Sequence, residues 1–347
     1  MATASGAGGF VGRCLYQTVE CDAMWNVIGH HRAIAELETA MKAARLPHAL
    51  LFTGPDGTGK TTLALELAKA LNCTGEDPPC QSCVQCRQIT GATHPDVTLV
   101  ERPDGKDSIV IQQVRELREA AALRPFQGRQ KVYIVAGAGA LTAQAADALL
   151  KTLEEPQPQV TIILTATEAE ALPATVVSRC RLMTLRGVEK EAIAAALTDR
   201  GVSSGAADNL ARLARGSVGW ALQALKQPKL VAQRENLVTR ASQVLDVGLD
   251  ERLQLAEELV ADRKDRSTVR RNVEVLVLLA QDMVLAREGL PPRLVSAAQE
   301  PALTVSARRY SLSQLGCYLK SLGTAMERID QNVDPRLALE AVMVGLP

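Results

Sequence analysis

Aromatic residues are scarce in this chain and make up only 3% of its 347 residues. Alanine and leucine are abundant instead, and a core built from small and straight-chain residues favours a mostly helical protein with a modest sheet. An excess of charge is also missing, because 39 Lys and Arg residues balance 39 Asp and Glu residues. This balance argues against a surface dedicated to nucleic acid or to membranes. No apolar run reaches the roughly 18 residues that a membrane-spanning helix needs, so we expect no membrane partner.

The first residues of the chain lack both a secretory signal and a regular fold pattern. The segment 1–22 has no cationic start followed by a long apolar stretch, which a signal peptide needs. Periodic hydrophobic residues begin only near Met24. We therefore expect residues 1–23 to be a disordered tail, or to result from a start codon assigned upstream in error. We also expect a cytoplasmic protein.

The sequence GPDGTGKT at positions 54–61 fits the phosphate-binding loop GxxxxGK[ST]. An apolar run precedes it and a helix-forming run follows it, which is the context that such a loop requires. Glycines let backbone N–H groups close around phosphate oxygens, and the helix N-terminus adds partial positive charge. Lys60 would reach the terminal phosphates, and the Thr61 hydroxyl would bind Mg²⁺. The residues predicted to hold ATP or ADP are Gly54, Gly57, Gly59, Lys60, Thr61, Thr62 and Thr165.

The strand where acidic residues should follow the loop carries no carboxylate: positions 131–139 read KVYIVAGAG. Acidic side chains here would bind the coordination shell of Mg²⁺ and polarise the water that attacks the phosphate. The sequence therefore predicts a chain that holds a nucleotide without hydrolysing it. Thr165 ends the next predicted strand. Its hydroxyl could act as a polar sensor near the phosphates. Alternatively, Thr165 is a strand residue whose methyl group packs in the core and whose hydroxyl has no role. The sequence favours neither interpretation.

Four of the eight cysteines lie close together, in the pattern Cys-x6-Cys-x2-Cys-x2-Cys. Two C-x-x-C spacings that share a cysteine, with one more thiol at the end of the preceding helix, suit a structural zinc site. An iron–sulfur cluster uses the same ligands and remains the main alternative. Disulfides are disfavoured in an intracellular nucleotide-binding chain. The predicted zinc ligands are Cys73, Cys80, Cys83 and Cys86.

The order of predicted elements indicates an α/β core followed by helices alone. Strands and helices alternate through residues 24–187, which predicts a parallel, doubly wound sheet with the cysteine segment 73–86 inserted in it. A small helical domain is expected at 188–226 and a second helical domain at 230–347. A composition break at 226–229 indicates the linker between them.

Several specific motifs follow one another along the chain. They are the phosphate loop, the cysteine insert directly after its helix, ALLKTLEEP at 148–156, SRC at 178–180 and NVDPRLALE at 332–340. With these motifs the chain resembles the clamp-loader subunits of bacterial DNA polymerase III, in the AAA+ superfamily, and among them the delta-prime subunits. The resemblance runs from about Trp25 to the C-terminus.

The resemblance implies an AAA+ nucleotide-binding core, a helical lid and a helical collar that assembles a ring. Such a ring loads a sliding clamp on primed DNA. The implied partners are the delta and gamma or tau subunits, the clamp, and DNA through the assembled ring. In the family, the arginine of the SRC motif, here Arg179, is an arginine finger that stabilises charge on a neighbouring subunit's ATP.

Two departures from the pattern of hydrolysing members define the expected role. Ala136 and Gly137 stand where those members carry acids, and residues 218–220 offer no arginine to sense the γ-phosphate. Arg212 and Arg215 lie just upstream but fit that role poorly. We expect a non-hydrolysing subunit that supplies Arg179 in trans. The alternatives are an ATP-hydrolysing gamma or tau subunit, a stand-alone ATP-dependent enzyme, and a zinc-ribbon DNA-binding regulator.

Overall fold

A computed structural model describes residues 25–103, 106, 108–155, 157–260, 266–290, 292–293, 299–331 and 333–346. The expected tail at 1–23 and the start at Met24 lie outside these residues. So do Pro156 and Asn332, which belong to two of the motifs.

The N-terminal part is built on a parallel five-stranded sheet with the strand order β2-β3-β4-β1-β5. All residues of β1, β3 and β4 are buried, as expected where helices cover both faces of a parallel sheet. The strands are β1 (Ala49–Thr53), β2 (Val97–Val100), β3 (Lys131–Val135), β4 (Val160–Ala166) and β5 (Arg181–Thr184).

Helices pack on both faces of this sheet. Ile162 of β4 belongs to one hydrophobic cluster with Leu149, while the adjacent Ile163 belongs to the other with Leu37 and Leu63. The two faces thus follow the period of two that a strand imposes on its side chains. The helices of this part are α1 (His31–Lys42), α2 (Lys60–Asn72), α3 (Val84–Thr90), α4 (Ile111–Ala121), α5 (Ala143–Glu154) and α6 (Ala174–Val177).

Within the described residues, everything after β5 that has regular structure is helical. A small cluster is formed by α7 (Lys190–Thr198), α8 (Ser204–Ala214) and α9 (Val218–Lys226). A larger cluster unites α10 (Pro228–Ser242), α11 (Leu249–Leu259), α12 (Arg266–Arg287), α13 (Glu300–Arg308), α14 (Leu312–Asp330) and α15 (Pro335–Val344).

The two helical clusters are in direct contact. Trp220 of α9 packs against both of them. The break expected at 226–229 is only Gln227, which stands between the last residue of α9 and the first residue of α10. None of the helices in the described ranges has the length and apolar character needed to cross a membrane.

Candidate functional site

The phosphate loop joins β1 to α2 through three glycines in backbone conformations that other residues rarely adopt. Gly54 has φ +143°, Gly57 has φ +74° and Gly59 has φ +101°. A Cβ atom on Gly54 would also lie 1.9 Å from the carbonyl oxygen of Leu185. Both the turn and the close approach to Leu185 therefore require glycine at position 54.

The start of α2 presents the groups that hold phosphates in such loops. Gly59, the N-cap, has no side chain to satisfy the first N–H groups of the helix, so these can face an anion. Lys60 is buried, and its Nζ donates to the carbonyl oxygens of Gly54, at 2.6 Å, and Pro55, at 2.7 Å. Burial lowers the pKa of Lys60, whereas Asp56 raises it. The adjacent Thr61 is half-buried and Thr62 is exposed.

The exit of β3 is the place where the sequence predicts that acids are missing. Gly137 adopts φ +68°, and its N–H donates to Oγ1 of Thr165, on the neighbouring strand β4, at 3.0 Å. A Cβ atom on Gly137 would meet nothing within 4 Å, so space for a side chain exists there. The buried hydroxyl of Thr165 thus contacts the backbone that follows β3, a partner that the sequence does not predict.

The first turn of α9 packs on the phosphate loop, which sequence reasoning missed. The Gly219 N–H donates to the carbonyl oxygen of Gly57 at 2.8 Å. Ser217 caps α9 by accepting from the Trp220 N–H, and a Cβ atom on Gly57 would lie 2.1 Å from its Oγ. Small residues at 57, 217 and 219 are therefore what permits this contact. No pattern in the sequence signals it, because the two segments are far apart along the chain.

Arg212 and Arg215 interact with acids of the C-terminal helices. Burial lowers the pKa of both arginines, and Asp282 of α12 raises both. Asp282 is itself almost fully buried. Glu235 of α10 and Asp208 of α8 raise the pKa of Arg212 as well. These interactions engage acids of α8, α10 and α12 rather than the phosphate loop, so they do not favour either arginine as a replacement for the missing phosphate sensor.

Arg179 follows α6 and lies at the surface. Its Nη2 pairs with Oε1 of Glu154 at 2.5 Å, and its Nη1 donates to the carbonyl oxygen of Thr175 at 2.9 Å. The arginine side chain is 36% exposed and that of Glu154 is 48% exposed. Glu154 thus orients the guanidinium of the predicted finger. Sequence spacing gives no sign of this pair.

The four predicted zinc ligands do come together. Their sulfur atoms all lie within 4.8 Å of one another, and those of Cys73 and Cys83 are 4.0 Å apart. A tetrahedral site with Zn–S bonds of about 2.3 Å would place sulfurs about 3.8 Å apart. The arrangement of all four ligands is therefore close to that of a zinc centre.

Backbone N–H groups point at the sulfur atoms, as they do around thiolates. Cys73 Sγ accepts from Gly75 and Cys80, and Cys83 Sγ accepts from Cys86 at 3.4 Å. Burial raises the pKa of Cys83, but hydrogen bonds from Cys86 and Thr74 outweigh it and bring the pKa to about 5. Hydrogen bonds also lower the pKa of Cys80, whereas burial raises the pKa of Cys73 and of Cys86. Zinc binds thiolates, and the charge of a bound cation would favour that form at all four sulfurs, so the donor set fits a metal held by protein ligands alone.

A buried ion pair fixes the cysteine segment to α2. Lys69 Nζ donates to Glu66 Oε1 at 2.7 Å and to Gln81 Oε1 at 2.9 Å, and both charged residues are buried. Gln81 lies between the second and third cysteines of the cluster. The phosphate-loop helix and the cysteine cluster therefore form one connected unit.

The N-terminal part of the chain matches a known family. The sequence model of the family described as "DNA polymerase III, delta subunit" matches residues 29–189. The crystal structure of a gamma subunit-related protein from Thermotoga maritima overlaps 89% of this chain and 97% of its own, at 19% identity and a TM-score of 0.41.

Two relatives in Bacillus subtilis (strain 168) extend the match beyond the sheet. DNA polymerase III subunit delta' is 28% identical over 321 residues, which are 91% of this chain and 95% of the relative. DNA polymerase III subunit tau is 29% identical over 297 residues, which are 79% of this chain but only 52% of the relative. The chain thus spans about half the length of that tau subunit. Together with the phosphate loop and the cysteine cluster, these matches show that the chain belongs to the DNA polymerase III clamp-loader family, whose members include the delta', gamma and tau subunits.

Proposed function

We propose that this chain is the non-hydrolysing, delta-prime-type subunit of a DNA polymerase III clamp loader. In this role it joins delta and gamma or tau subunits in a ring that loads a sliding clamp on primed DNA in the cytoplasm. The chain contributes a stable protomer to the ring and an arginine to its neighbour's ATP site.

The observation that carries the proposal is the pairing of a complete phosphate loop with a carboxylate-free exit of β3. Lys60 and the start of α2 provide the charge and N–H groups that bind phosphates. Ala136 and Gly137 provide no group to hold Mg²⁺ or to activate water, and both tasks are needed for rapid phosphoryl transfer. The site is thus suited to binding ATP or ADP and unsuited to hydrolysing it.

The contact between α9 and the loop supports the same conclusion. A hydrolysing site must respond to the γ-phosphate, and an arginine at the start of α9 would do this by direct contact. Here Gly219 ties α9 to the loop through backbone atoms alone. We infer that the position of α9 is set by this hydrogen bond and responds little to the state of the nucleotide.

Arg179 supports a role in trans. Its guanidinium is more than a third exposed, and in the described residues its hydrogen-bond and ion-pair partners are Glu154, Thr175 and Ser178, none of which belongs to the phosphate loop. A planar guanidinium fork at a subunit boundary can stabilise the charge on a transferred phosphoryl group. We infer that Arg179 acts on the ATP of the adjacent subunit.

A gamma- or tau-type ATPase is the second candidate, because the loop is complete and the tau relative matches 79% of this chain. ATP turnover separates the two. We expect the purified chain to show no hydrolysis above the rate of its Lys60→Ala variant, with a gamma- or tau-type subunit of the same organism as the active control. Steady-state turnover by the wild-type chain that Lys60→Ala abolishes would establish the second candidate instead.

A further inference from the structure

His30 lies beside the phosphate loop and has no task in the function proposed above. Its Nε2 is 2.7 Å from the carbonyl oxygen of Thr58, a residue of the loop. A carbonyl oxygen only accepts hydrogen bonds, so Nε2 carries a proton and donates a hydrogen bond to Thr58. Burial lowers the pKa of His30 below its ordinary value, although the bond to Thr58 raises it. At pH 7 the ring is therefore neutral, and its N–H donor is Nε2.

The backbone of His30 is held in a conformation that few residues adopt. Its φ is +61°, in the left-handed region, where histidine is tolerated at a cost in free energy. The preceding Gly29 has φ +74°, and a Cβ atom on it would lie 2.9 Å from Cγ1 of Val188. His30 occupies the N-cap position of α1, but its side chain makes no capping hydrogen bond. The side chain thus serves the phosphate loop and not the helix that it precedes.

Most carbonyl oxygens of the loop accept a hydrogen bond from the surrounding protein. The donors are Lys60 Nζ for Gly54 and Pro55, the Gly219 N–H for Gly57, His30 for Thr58 and the Leu63 N–H for Gly59. In the described part of the chain, His30 is the side-chain donor that comes from outside the loop and α2. These bonds fix the orientation of the peptide groups whose N–H groups bind phosphate in such a loop.

The bond from His30 holds the peptide group between Thr58 and Gly59. This group is planar and trans, so its N–H, which belongs to Gly59, points opposite to the carbonyl that His30 contacts. Among the described residues, the N–H of Gly59 donates no hydrogen bond. Gly59 is also the N-cap of α2, at the positive end of the helix dipole. The Gly59 N–H is thus available to an anion, and the hydrogen bond at the carbonyl polarises the amide and strengthens this N–H as a donor.

We propose that His30 is a positioning residue of the phosphate loop, which orients the Gly59 N–H towards the phosphates of a bound nucleotide. The proposal rests on the nucleotide binding proposed above and adds a residue that the loop motif does not contain. A histidine that only held the N-terminal segment in place would affect the free energy of unfolding and leave the affinity for phosphate unchanged. A positioning residue changes that affinity through its hydrogen bond, and another donor of the same reach restores it.

Isothermal titration of the full-length chain with ADP tests the role through two substitutions of His30. Asparagine tolerates the left-handed backbone, but its amide is too short to reach Thr58. Glutamine has the longer reach and a neutral N–H donor, although it suits this backbone less well. We expect His30→Asn to lower the affinity about three- to tenfold, as the loss of one neutral hydrogen bond does, and His30→Gln to stay within about twofold of wild type. The preference of the backbone alone would give the reverse order.

A second histidine and a second ligand complete the test. His48 Nε2 also contacts a carbonyl oxygen, that of Leu153 at 2.9 Å, but at the end of β1 opposite to the loop. His48→Asn is therefore the matched control and should bind ADP with the affinity of wild type. Inorganic pyrophosphate carries no nucleoside, so His30→Asn should weaken its binding by the same factor as that of ADP.

The possible failures are distinguishable. Full ADP affinity in His30→Asn, equal losses in His30→Asn and His30→Gln, or a loss confined to ADP and absent with pyrophosphate would overturn the positioning role and leave the nucleotide site in place. No binding of ADP by the wild-type chain would overturn the proposed nucleotide site, and the role of His30 with it.

Discussion

Arg179 and Glu154 form an ion pair at the surface. The arginine of such a pair can readily leave its carboxylate for an anion that binds it more strongly. Exposed ion pairs contribute about 0–1 kcal/mol because water screens them. A triphosphate at a subunit boundary carries more negative charge than one carboxylate. Glu154 can therefore hold the guanidinium in place without preventing the proposed interaction of Arg179 with a neighbour's ATP.

Replacing Arg179 by alanine should impair the neighbour and leave this chain folded. An arginine finger contributes about 10³–10⁵ in rate at the site it serves. The reconstituted complex carrying Arg179→Ala should thus lose the turnover of the site that faces it, measured as ATPase activity with clamp and primed DNA. Arg181→Ala, which breaks a nearby surface pair with Glu36, is the matched control. Equal ATPase rates for the two variants would exclude the role in trans.

Asp96 contributes to the stability of the fold through its charged carboxylate. Its carboxylate accepts the backbone N–H groups of Phe126, Gln127 and Gly128 at 2.7–2.8 Å and so holds the loop between α4 and β3. Burial raises the pKa of Asp96, but these hydrogen bonds outweigh it and hold the pKa below its ordinary value. The charged form is thus more stable in the folded than in the unfolded chain.

The lowered pKa of Asp96 makes the free energy of unfolding depend on pH. A lowered folded-state pKa gives stability that is present above the unfolded pKa of about 3.9 and is lost as the pH falls through the folded value. Asp96→Asn should cost about 1–3 kcal/mol at pH 7. Its difference from wild type should shrink below about pH 4. Urea unfolding at several pH values measures this. A difference that is constant with pH would exclude the charge as its cause.

Among the secondary-structure elements, α3 depends most clearly on the cysteine cluster. It has only 7 residues, and its N-cap is Cys83, whose Sγ accepts from the Cys86 N–H. So short a helix is unstable on its own in water. Its structure must therefore come from packing and from the ligands that its cysteines provide.

Metal removal should consequently unfold α3 and the segment before it. We expect about one zinc per chain by elemental analysis, since four protein thiolates fill the coordination shell. Cys80→Ala should lose the metal and lower the melting temperature, as a strong chelator should in the wild type. Cys317→Ala, which changes an exposed free thiol, is the control. Iron in place of zinc would show that the cluster binds an iron–sulfur centre instead.

Most of the buried elements are predictable from the sequence because their patterns are local. Uniform apolar runs indicate β1, β3 and β4, and the spacing of the cysteines indicates their cluster. The strand β5 escapes prediction, because it lies at the edge of the sheet and three of its four residues are exposed. An exposed edge strand lacks the apolar run that marks a central strand. Its position becomes clear only from its pairing with β1.

The parts of the site that sequence reasoning missed are contacts between distant segments. Gly219 meets Gly57 and Glu154 meets Arg179 only after the chain has folded. None of these residues has an unusual local context, so one sequence offers no signal for either pair. The identity of the binding groups is thus predictable from motifs, while the connections between them require the structure.

At the scale of the whole molecule, the surface of the last helix suggests where the chain meets other subunits. Leu337 and Val344 of α15 are each 63% exposed. They are separated by seven residues and so lie on one face of the helix. The opposite face, with Leu339 and Met343, is buried in the C-terminal cluster. We expect the exposed face to pack against another subunit of the ring.

Charging this face should weaken assembly without affecting the fold. Burying a leucine contributes about 1.5–3 kcal/mol, so Leu337→Glu should weaken binding to a gamma- or tau-type partner at least about tenfold, and Val344→Glu should act similarly. Gel filtration and titration of the purified subunits measure the affinity, and circular dichroism checks the fold. Leu249→Glu, at an exposed leucine of α11, is the control. The side chains of Leu337 and Val344 lie largely in solvent, so both variants should fold normally. A folded variant that still binds its partner with full affinity would mean that the ring is assembled through another surface.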